Sequence, residues 1–421
     1  MSPIEWIVLG SYFLAIYLLV YWFLLFFDKW DVIKEEYSEK LNLTSYPLVS
    51  ILVPAYNEEK TIQRTLQSLI ELDWPKDKLE IIVINDGSKD KTSQIVKEFI
   101  SSNSSNDIKL IEQPNAGKGA ALNKGLSILK GELFACLDAD SFVEPQTLKY
   151  MAHWHLKYSN IAITTPIMKI DKPKSALQKL QRIEYILGMF LTKLMNYIDT
   201  NYIAPGPFST YKTQIIKDLG GFDEHNLVED QEIAYRAQQH QYKIMQVPYA
   251  VVHTKGPEKF KAFRAQRNRW YKGTLINIFK YKHLMFKKAY GDFGFFQLPI
   301  VNILAYVLSI IALIGFANYT LVPILKQIHQ SSLIGFDLIP FFKTFHLEFN
   351  ILSTNILFTF ILVFSFILML TFLYLSSKIN KDDLRPHWIY LIPFFLVYFI
   401  IVAYIMVLVM LELIVGKKQK W

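Results

Sequence analysis

The sequence predicts an α/β domain with a Rossmann-like sheet over residues 47–290, set between transmembrane α-helices. Three observations carry this expectation. Outside 47–290 the apolar residues come in blocks long enough to span a bilayer, which takes about 20 residues. Inside it, short β-rich runs alternate with helical periodicity, the pattern of βαβ units in a parallel sheet. Polar and charged residues then gather where those strands end, and that is where such sheets hold ligands.

The membrane part comes first along the chain. Of the 421 residues, 52% are hydrophobic, above the roughly 45–50% of ordinary soluble domains. The first apolar block covers residues 6–27, with no Lys or Arg inside it and Glu5 just before it. A signal peptide would bring a basic start, a shorter apolar core and a small-residue cleavage site. None of these is present, so residues 1–30 are expected to form a retained anchor. Three further spans are expected at 295–321, 351–375 and 388–415, within a C-terminal transmembrane region of 291–421. Residues 332–345 suit an interfacial or re-entrant helix instead.

Charge orients the chain. The net charge is +8, and Lys259, Lys261, Arg264, Arg267, Arg269, Lys272, Lys280, Lys282, Lys287 and Lys288 crowd the approach to the second span. Basic flanks mark the cytoplasmic side and suit acidic lipid headgroups. The same position against a span argues against a nucleic-acid partner. A multi-pass protein of the cell membrane with its α/β domain in the cytosol is therefore expected. Four spans then put both termini outside; Lys417, Lys418 and Lys420 in the tail run against that. Cys136 is the single cysteine, which excludes an intrachain disulfide and agrees with a cytosolic domain.

Within the domain, residues 48–53 read as a strand ended by Pro54. A helix follows, with Ile62, Leu66, Leu69 and Ile70 at helical spacing. Strands are expected at 80–84, 108–112 and 133–137, with helices through Ile95 and Phe99 and over 117–129. After Asp140 the pattern changes. Residues 176–198 form an amphipathic helix with Leu177, Leu180, Ile183, Leu187, Phe190, Leu191, Leu194 and Ile198 on one face. It suits packing on the sheet or lying on the membrane surface, and the nearby spans favour the membrane.

Several residues at or beyond the strand ends carry chemistry. Asp138 and Asp140 stand two apart after a strand, where both reach one ligand set. Their repulsion is relieved by a hard divalent cation, which is commonly held by one or two carboxylates and substrate phosphates. Asp86 suits hydrogen bonds from a nucleoside, or a cap for the next helix. Lys118 lies in a glycine-rich helix start that already favours anions, and is otherwise a surface lysine. Glu229-Asp230 precedes a helix; either carboxylate suits a general base, and both suit a helix N-terminus. Gln266 and Arg269, three apart on a helix, face the same way. Arg269 suits diphosphate charge, and Trp270 suits stacking on a sugar ring.

Taken in order, Pro54-Ala55-Tyr56-Asn57-Glu58-Glu59, Asn85-Asp86-Gly87-Ser88, Asp138-Ala139-Asp140, Glu229-Asp230 and Gln266-x-x-Arg269-Trp270 resemble the membrane-integrated family-2 glycosyltransferases. Those include the hyaluronan, cellulose, chitin and poly-N-acetylglucosamine synthases. The resemblance implies a GT-A catalytic domain that transfers a sugar with inversion, from a nucleotide-sugar (a UDP-sugar) to a growing β-linked glycan. Product passage across the membrane is a further implication. It gives Tyr56, Glu58 and Asp86 to the nucleoside, Lys118 and Asp138 to the nucleotide-sugar, and Asp140 to Mg²⁺ or Mn²⁺. Asp230 becomes the catalytic base, Gln266 and Arg269 contact the diphosphate or acceptor, and Trp270 lines the acceptor site. Glu229, Gly206 and Phe208 fall on the acceptor side. No FxVTxK or WGTR gating loop of the cellulose and hyaluronan types is present, which leaves long-chain processivity open. A non-processive enzyme acting on a lipid acceptor is the alternative. A transporter with an inactive nucleotide-sensing domain is disfavoured, because the spans hold no charge relay and the catalytic carboxylates are all in place.

Overall fold

The computed structural model describes residues 3–41, 43, 45–333 and 356–417. The chain opens on α1 (Pro3–Asp28) and α2 (Trp30–Ser38). Four strands follow at positions close to those expected: β1 (Val49–Ala55), β2 (Leu79–Asp86), β3 (Asp107–Gln113) and β4 (Leu133–Cys136). They pair in parallel in the order β3-β2-β1-β4. The joining helices are α3 (Ile62–Ile70), α4 (Thr92–Ser102) and α5 (Lys118–Ile128). Every residue of β2 is buried, because helices cover both faces of the sheet. Alternate residues go to opposite layers: Ile51 and Val53 pack with α3 and α4, while Leu52, Ile82 and Ile84 pack with α5. In α3 the positions Ile62, Leu66 and Leu69 are fully buried, contributing about 1.5–3 kcal/mol each.

Beyond β4 the sheet is mixed, not parallel. The added elements are β5 (Phe142–Val143), α6 (Thr147–Lys157), β6 (Ile161–Ile170), α7 (Ala176–Met195), β7 (Ser209–Lys212), α8 (Thr213–Asp218), α9 (Glu229–Gln239) and β8 (Lys243–Thr254). The full order is β3-β2-β1-β4-β7-β6-β8-β5. β7 runs antiparallel to both β4 and β6, and β5 antiparallel to β8. The chain leaves β6 through α7 and returns by an extended loop, so β7 enters the gap beside β4 against its neighbours.

α7 begins with a capping box: Gln178 N–H donates to Ser175 Oγ (3.1 Å) and Ser175 N–H to Gln178 Oε1 (3.1 Å). The helix lies neither on the sheet alone nor on an open membrane surface. Met189 sits against β6, where its Sδ meets Met168 N at 3.2 Å. Ile183, Ile186, Leu187, Phe190 and Leu194 join Trp22, Phe23 and Phe26 of α1 in one apolar cluster. Its basic Lys193 is buried and bound to Glu36.

The domain continues into α10 (Phe260–Lys280), and then α11 (Phe293–His329), α12 (Ile356–Ile379) and α13 (Arg385–Ile414). Among the described residues three helices are long and apolar enough to cross a membrane: α1, α11 and α13, of 26, 37 and 30 residues. In α12 the apolar stretch Val363–Ile379 is shorter, and the start of its expected span lies outside the described residues. So do 334–345 of the expected interfacial helix, and Lys418 and Lys420. α11 runs beyond the expected 295–321; at about 1.5 Å per residue it is longer than the ~30 Å hydrocarbon layer. Two basic residues of the expected headgroup-facing flank point inward instead. Arg267 and Lys272 are buried and pair with Glu184 on α7 and Glu412 on α13. Desolvating each cation is offset by its carboxylate, and the pairs tie α10 to its neighbours.

Candidate active site

Leu137 extends β4 by one more backbone bond to Leu52 O (2.9 Å), and Ser141 N–H then closes a turn on Asp138 O at 2.9 Å. That turn presents Asp138 and Asp140 together at the end of the sheet. Lys118, the first residue of α5, reaches over to them. Its Nζ stands 2.6 Å from Asp138 Oδ1 and 3.2 Å from Glu229 Oε1. Burial works against this ammonium, but Asp138, Glu229 and Asp230 outweigh it and raise its pKa.

Gly206 fits against this ion pair because it has no side chain. A Cβ there would stand 2.4 Å from Lys118 Nζ and 2.9 Å from each Asp138 carboxylate oxygen. Its N–H donates to Asp230 Oδ2 at 3.3 Å, and Asp230 Oδ1 accepts from Gln231 N–H at 2.8 Å. Asp230 stands in the first turn of α9. Burial and the neighbouring Glu229 push its carboxyl up to about 6, against the pull of Lys118 and Arg269. Asp140 is likewise pushed up to about 6, by burial and then by Asp138 and Glu58.

Two cavities meet here. One, of about 440 Å³, is lined by Lys118, Asp138, Asp140, Gly206, Glu229, Asp230, Gln266, Arg269 and Trp270. Its far wall comes from two of the long apolar helices, with Val301, Asn302, Ala305 and Tyr306 from α11 and Met406 from α13. The other, of about 410 Å³, is lined by Asn57, Glu58, Glu59, Lys60, Thr61, Asp90, Asp140 and Lys255. Asp140 and Lys255 belong to both.

The walls of the second cavity are two loops bound to each other. Asn57, at φ 57°, donates its N–H to Ser88 Oγ (2.9 Å) and accepts Lys89 N–H on Oδ1 (2.8 Å). Glu58 N–H donates to Thr92 Oγ1 at 2.8 Å. Asn57 occupies a left-handed conformation that Asn tolerates better than most residues.

Most of the residues picked from the sequence come together in these cavities, but three stand apart. Tyr56 is 46% exposed and lines neither. Asp86 is buried, and its carboxylate accepts from Gln113 Nε2 (2.8 Å), Ala116 N–H (2.9 Å) and Gly117 N–H (2.9 Å). It is no cap for α4, which starts beyond Lys91; it holds the loop that leads to Lys118. Phe208 has its side chain in the core, fully buried, because a left-handed turn (φ 61°) and a bond from its N–H to Cys136 O (2.6 Å) point it inward.

In α10, Gln266 and Arg269 line the same cavity. Among the described residues Gln266 Oε1 is buried without a hydrogen-bond partner. The Arg267 guanidinium covers one face of the Trp270 indole, 4.2 Å from the ring centroid. Lys255, Tyr185, Tyr202, Tyr271, Asn302 and Tyr306 line the cavity without having been picked from the sequence. For Asn302 a signal existed: a polar residue in an apolar span is usually functional or paired. Here it donates to Tyr235 Oη at 2.9 Å.

Residues 50–220 match the family described as Glycosyl transferase family 2. The chain is 33% identical over 250 residues to the probable glycosyltransferase YdaM of Bacillus subtilis (strain 168), covering 58% of this chain and 60% of that protein. It is 33% identical over 228 residues to a poly-beta-1,6-N-acetyl-D-glucosamine synthase of Staphylococcus epidermidis, covering 53% of this chain and 54% of the synthase. The chain thus spans less than two thirds of the length of these relatives. Among solved structures it resembles the mannosyltransferase PcManGT of Pyrobaculum calidifontis, in complex with GDP-Man and Mn²⁺. The TM-score is 0.56 at 19% identity, over 79% of this chain and 94% of that one, a likeness of fold. Residues 50–220 thus match a glycosyl transferase family 2 domain, the chain shares the fold of that mannosyltransferase, and it carries helices long and apolar enough to cross a membrane.

Proposed function

We propose that the protein is an inverting glycosyltransferase that moves a sugar from a nucleotide-sugar, expected to be a UDP-sugar, to a growing β-linked glycan. One observation carries the reading: two cavities meet at Asp140, and one of them holds Asp230 beside Gln266, Arg269 and Trp270. The nucleoside would lie between the loops of Glu58 and Asp90, beside Tyr56, with Asp86 acting through the loop it binds. The sugar would lie in the larger cavity with Lys118 and Asp138.

In the transfer, the acceptor oxygen bonds to the anomeric carbon while the bond to the diphosphate breaks and its electron pair stays with the diphosphate. Asp230 takes the acceptor proton. A carboxyl raised to about 6 is ionised at neutral pH yet basic enough for that task. Glu229 and Gly206 fix Lys118 and Asp230 around the sugar, with Phe208 anchoring the Gly206 loop. Gln266 and Arg269 hold the diphosphate or acceptor, and Trp270 stacks on the terminal sugar.

The residues suit a divalent metal. The Asp140 carboxyl is held up by burial first and then by the charges of Asp138 and Glu58, and a cation relieves that repulsion. Among the described residues no group of three or more ligating side chains is gathered for a metal, so substrate phosphates would complete its shell. A bound Mg²⁺ or Mn²⁺ would offset diphosphate charge.

The domain division that goes with this reading is an anchor over 1–30, a cytosolic catalytic domain over 47–290, and a transmembrane region over 291–421. The protein is then multi-pass in the cell membrane and in contact with its lipids, with no role for nucleic acid. A cavity that reaches α11 and α13 supports product passage into the membrane. Its apolar walls at Val301, Ala305 and Met406 also favour a second reading, a single transfer to a lipid acceptor. The test is purified full-length protein in detergent, offered UDP-, GDP- and dTDP-sugars with Mg²⁺ or Mn²⁺. Metal-dependent nucleotide release with a ladder of products supports the glycan reading, and one lipid-linked sugar the second. No nucleotide release with any donor refutes both.

A further inference from the structure

Lys255 is placed by sheet register and by nothing local. β5 pairs antiparallel with β8 through Phe142↔His253 and Val143↔Val252. Just before that pair the Ser141 and Thr254 hydroxyls meet at 3.1 Å, and the residues next to them, Asp140 and Lys255, both line the two cavities. The next two residues are held from the other side. Gln178 Nε2 donates to Gly256 O (2.8 Å) and Gln181 Nε2 to Pro257 O (2.9 Å), both from α7. A Cβ at Gly256 would come within 3.2 Å of Gln181 Oε1, so the backbone here lies tight against the helix. The lysine is therefore presented by a backbone fixed on both sides, at the seam shared by the two cavities.

The seam is rich in carboxylates: Glu58, Asp138 and Asp140. The other cations of the larger cavity are engaged elsewhere, Lys118 with Asp138 and Glu229, and Arg269 toward Asp230. Among the described residues the Lys255 ammonium makes no hydrogen bond or ion pair, and its charge is felt at Glu58. If the nucleoside fills one cavity and the sugar the other, the diphosphate between them must cross this seam.

We infer that Lys255 binds the diphosphate of the donor and stabilises the charge left on it as the sugar departs. The inference rests on the function proposed above. As the anomeric carbon–oxygen bond breaks, negative charge grows on the leaving phosphate, and a fixed ammonium there favours the transition state over the ground state.

The test uses full-length protein in detergent with Mg²⁺, the variants Lys255→Met and Lys255→Arg, and UDP, GDP and the matching nucleosides as probes. Lys255→Met should weaken diphosphate binding roughly 10- to 100-fold, the range for a hydrogen bond to a charged group, and leave nucleoside binding unchanged. Lys255→Arg should keep most of the affinity, and kcat should fall with Lys255→Met more than KM rises. Equal loss of diphosphate and nucleoside binding, or no loss of either, overturns the inference while leaving the site intact. If the parent protein binds neither UDP nor GDP with metal, the proposed function falls and this inference with it.

Discussion

Gly206→Ala tests the site at its tightest point. The added methyl would lie 2.4 Å from Lys118 Nζ and 2.9 Å from both oxygens of Asp138, where ordinary packing keeps heavy atoms about 3.5–4 Å apart. The lysine end must withdraw by more than 1 Å. It has little freedom, because it bridges Asp138 at 2.6 Å and Glu229 at 3.2 Å. Losing one such charged hydrogen bond costs about 1.5–3 kcal/mol, a factor of roughly 10 to 100 in turnover. The fold should survive, since Gly206 has no left-handed φ and the strain falls on a side-chain end. Release of nucleotide and formation of product, measured beside the thermal unfolding midpoint, check this. Turnover within about twofold of the parent would show that Lys118 and Asp138 need not hold their observed positions, and the site geometry argued from them would fail.

Asp230→Asn should leave UDP binding nearly unchanged and cut transfer by about 10²–10⁴, the usual yield of a general base; weakened UDP binding with transfer preserved would place Asp230 in the donor site. As the proposed base Asp230 would work only when ionised, and its carboxyl is raised to about 6, so transfer at saturating metal should fall as pH drops below 6 and level off above it; a profile flat down to pH 4.5 would remove it as the base. Asp140→Asn should abolish turnover with the unfolding midpoint kept, and near-normal turnover without added metal would end the metal assignment. Trp270→Ala should lose transfer far more than donor hydrolysis, with partial recovery in Trp270→Phe; a parallel fall of both would make the indole a packing partner for Arg267, which lies 4.2 Å from its ring.

The parts of this protein legible in its sequence are those made by local patterns. β1, β2 and β4 are mostly apolar runs ended by turn residues, β3 mixes its apolar residues with charged ones, and α3 carries its buried positions at helical spacing, so these follow from local pattern alone. The apolar blocks of α1, α11 and α13 follow from length and composition. The gathering of polar residues at strand ends was legible for the same reason, since a parallel sheet delivers its loops to one edge. Amphipathicity showed that α7 buries a face, but the layer it joins depends on what surrounds it: β6 on one side and α1, α12 and α13 on the other.

What only the tertiary structure decided is made by pairing between distant segments. β5 has two residues and β7 four, too short for any period to show, and they exist because neighbouring strands offer backbone partners. β7 lies antiparallel because of the route its chain takes back from α7, which no window of sequence contains. Asp86 had two readings from its neighbours, and its actual partners, Gln113, Ala116 and Gly117, stand about thirty residues on. Lys255 sits in an unremarkable stretch of sequence. It lines the same two cavities as Asp140 because one short antiparallel pair brings together segments that lie more than a hundred residues apart in the chain.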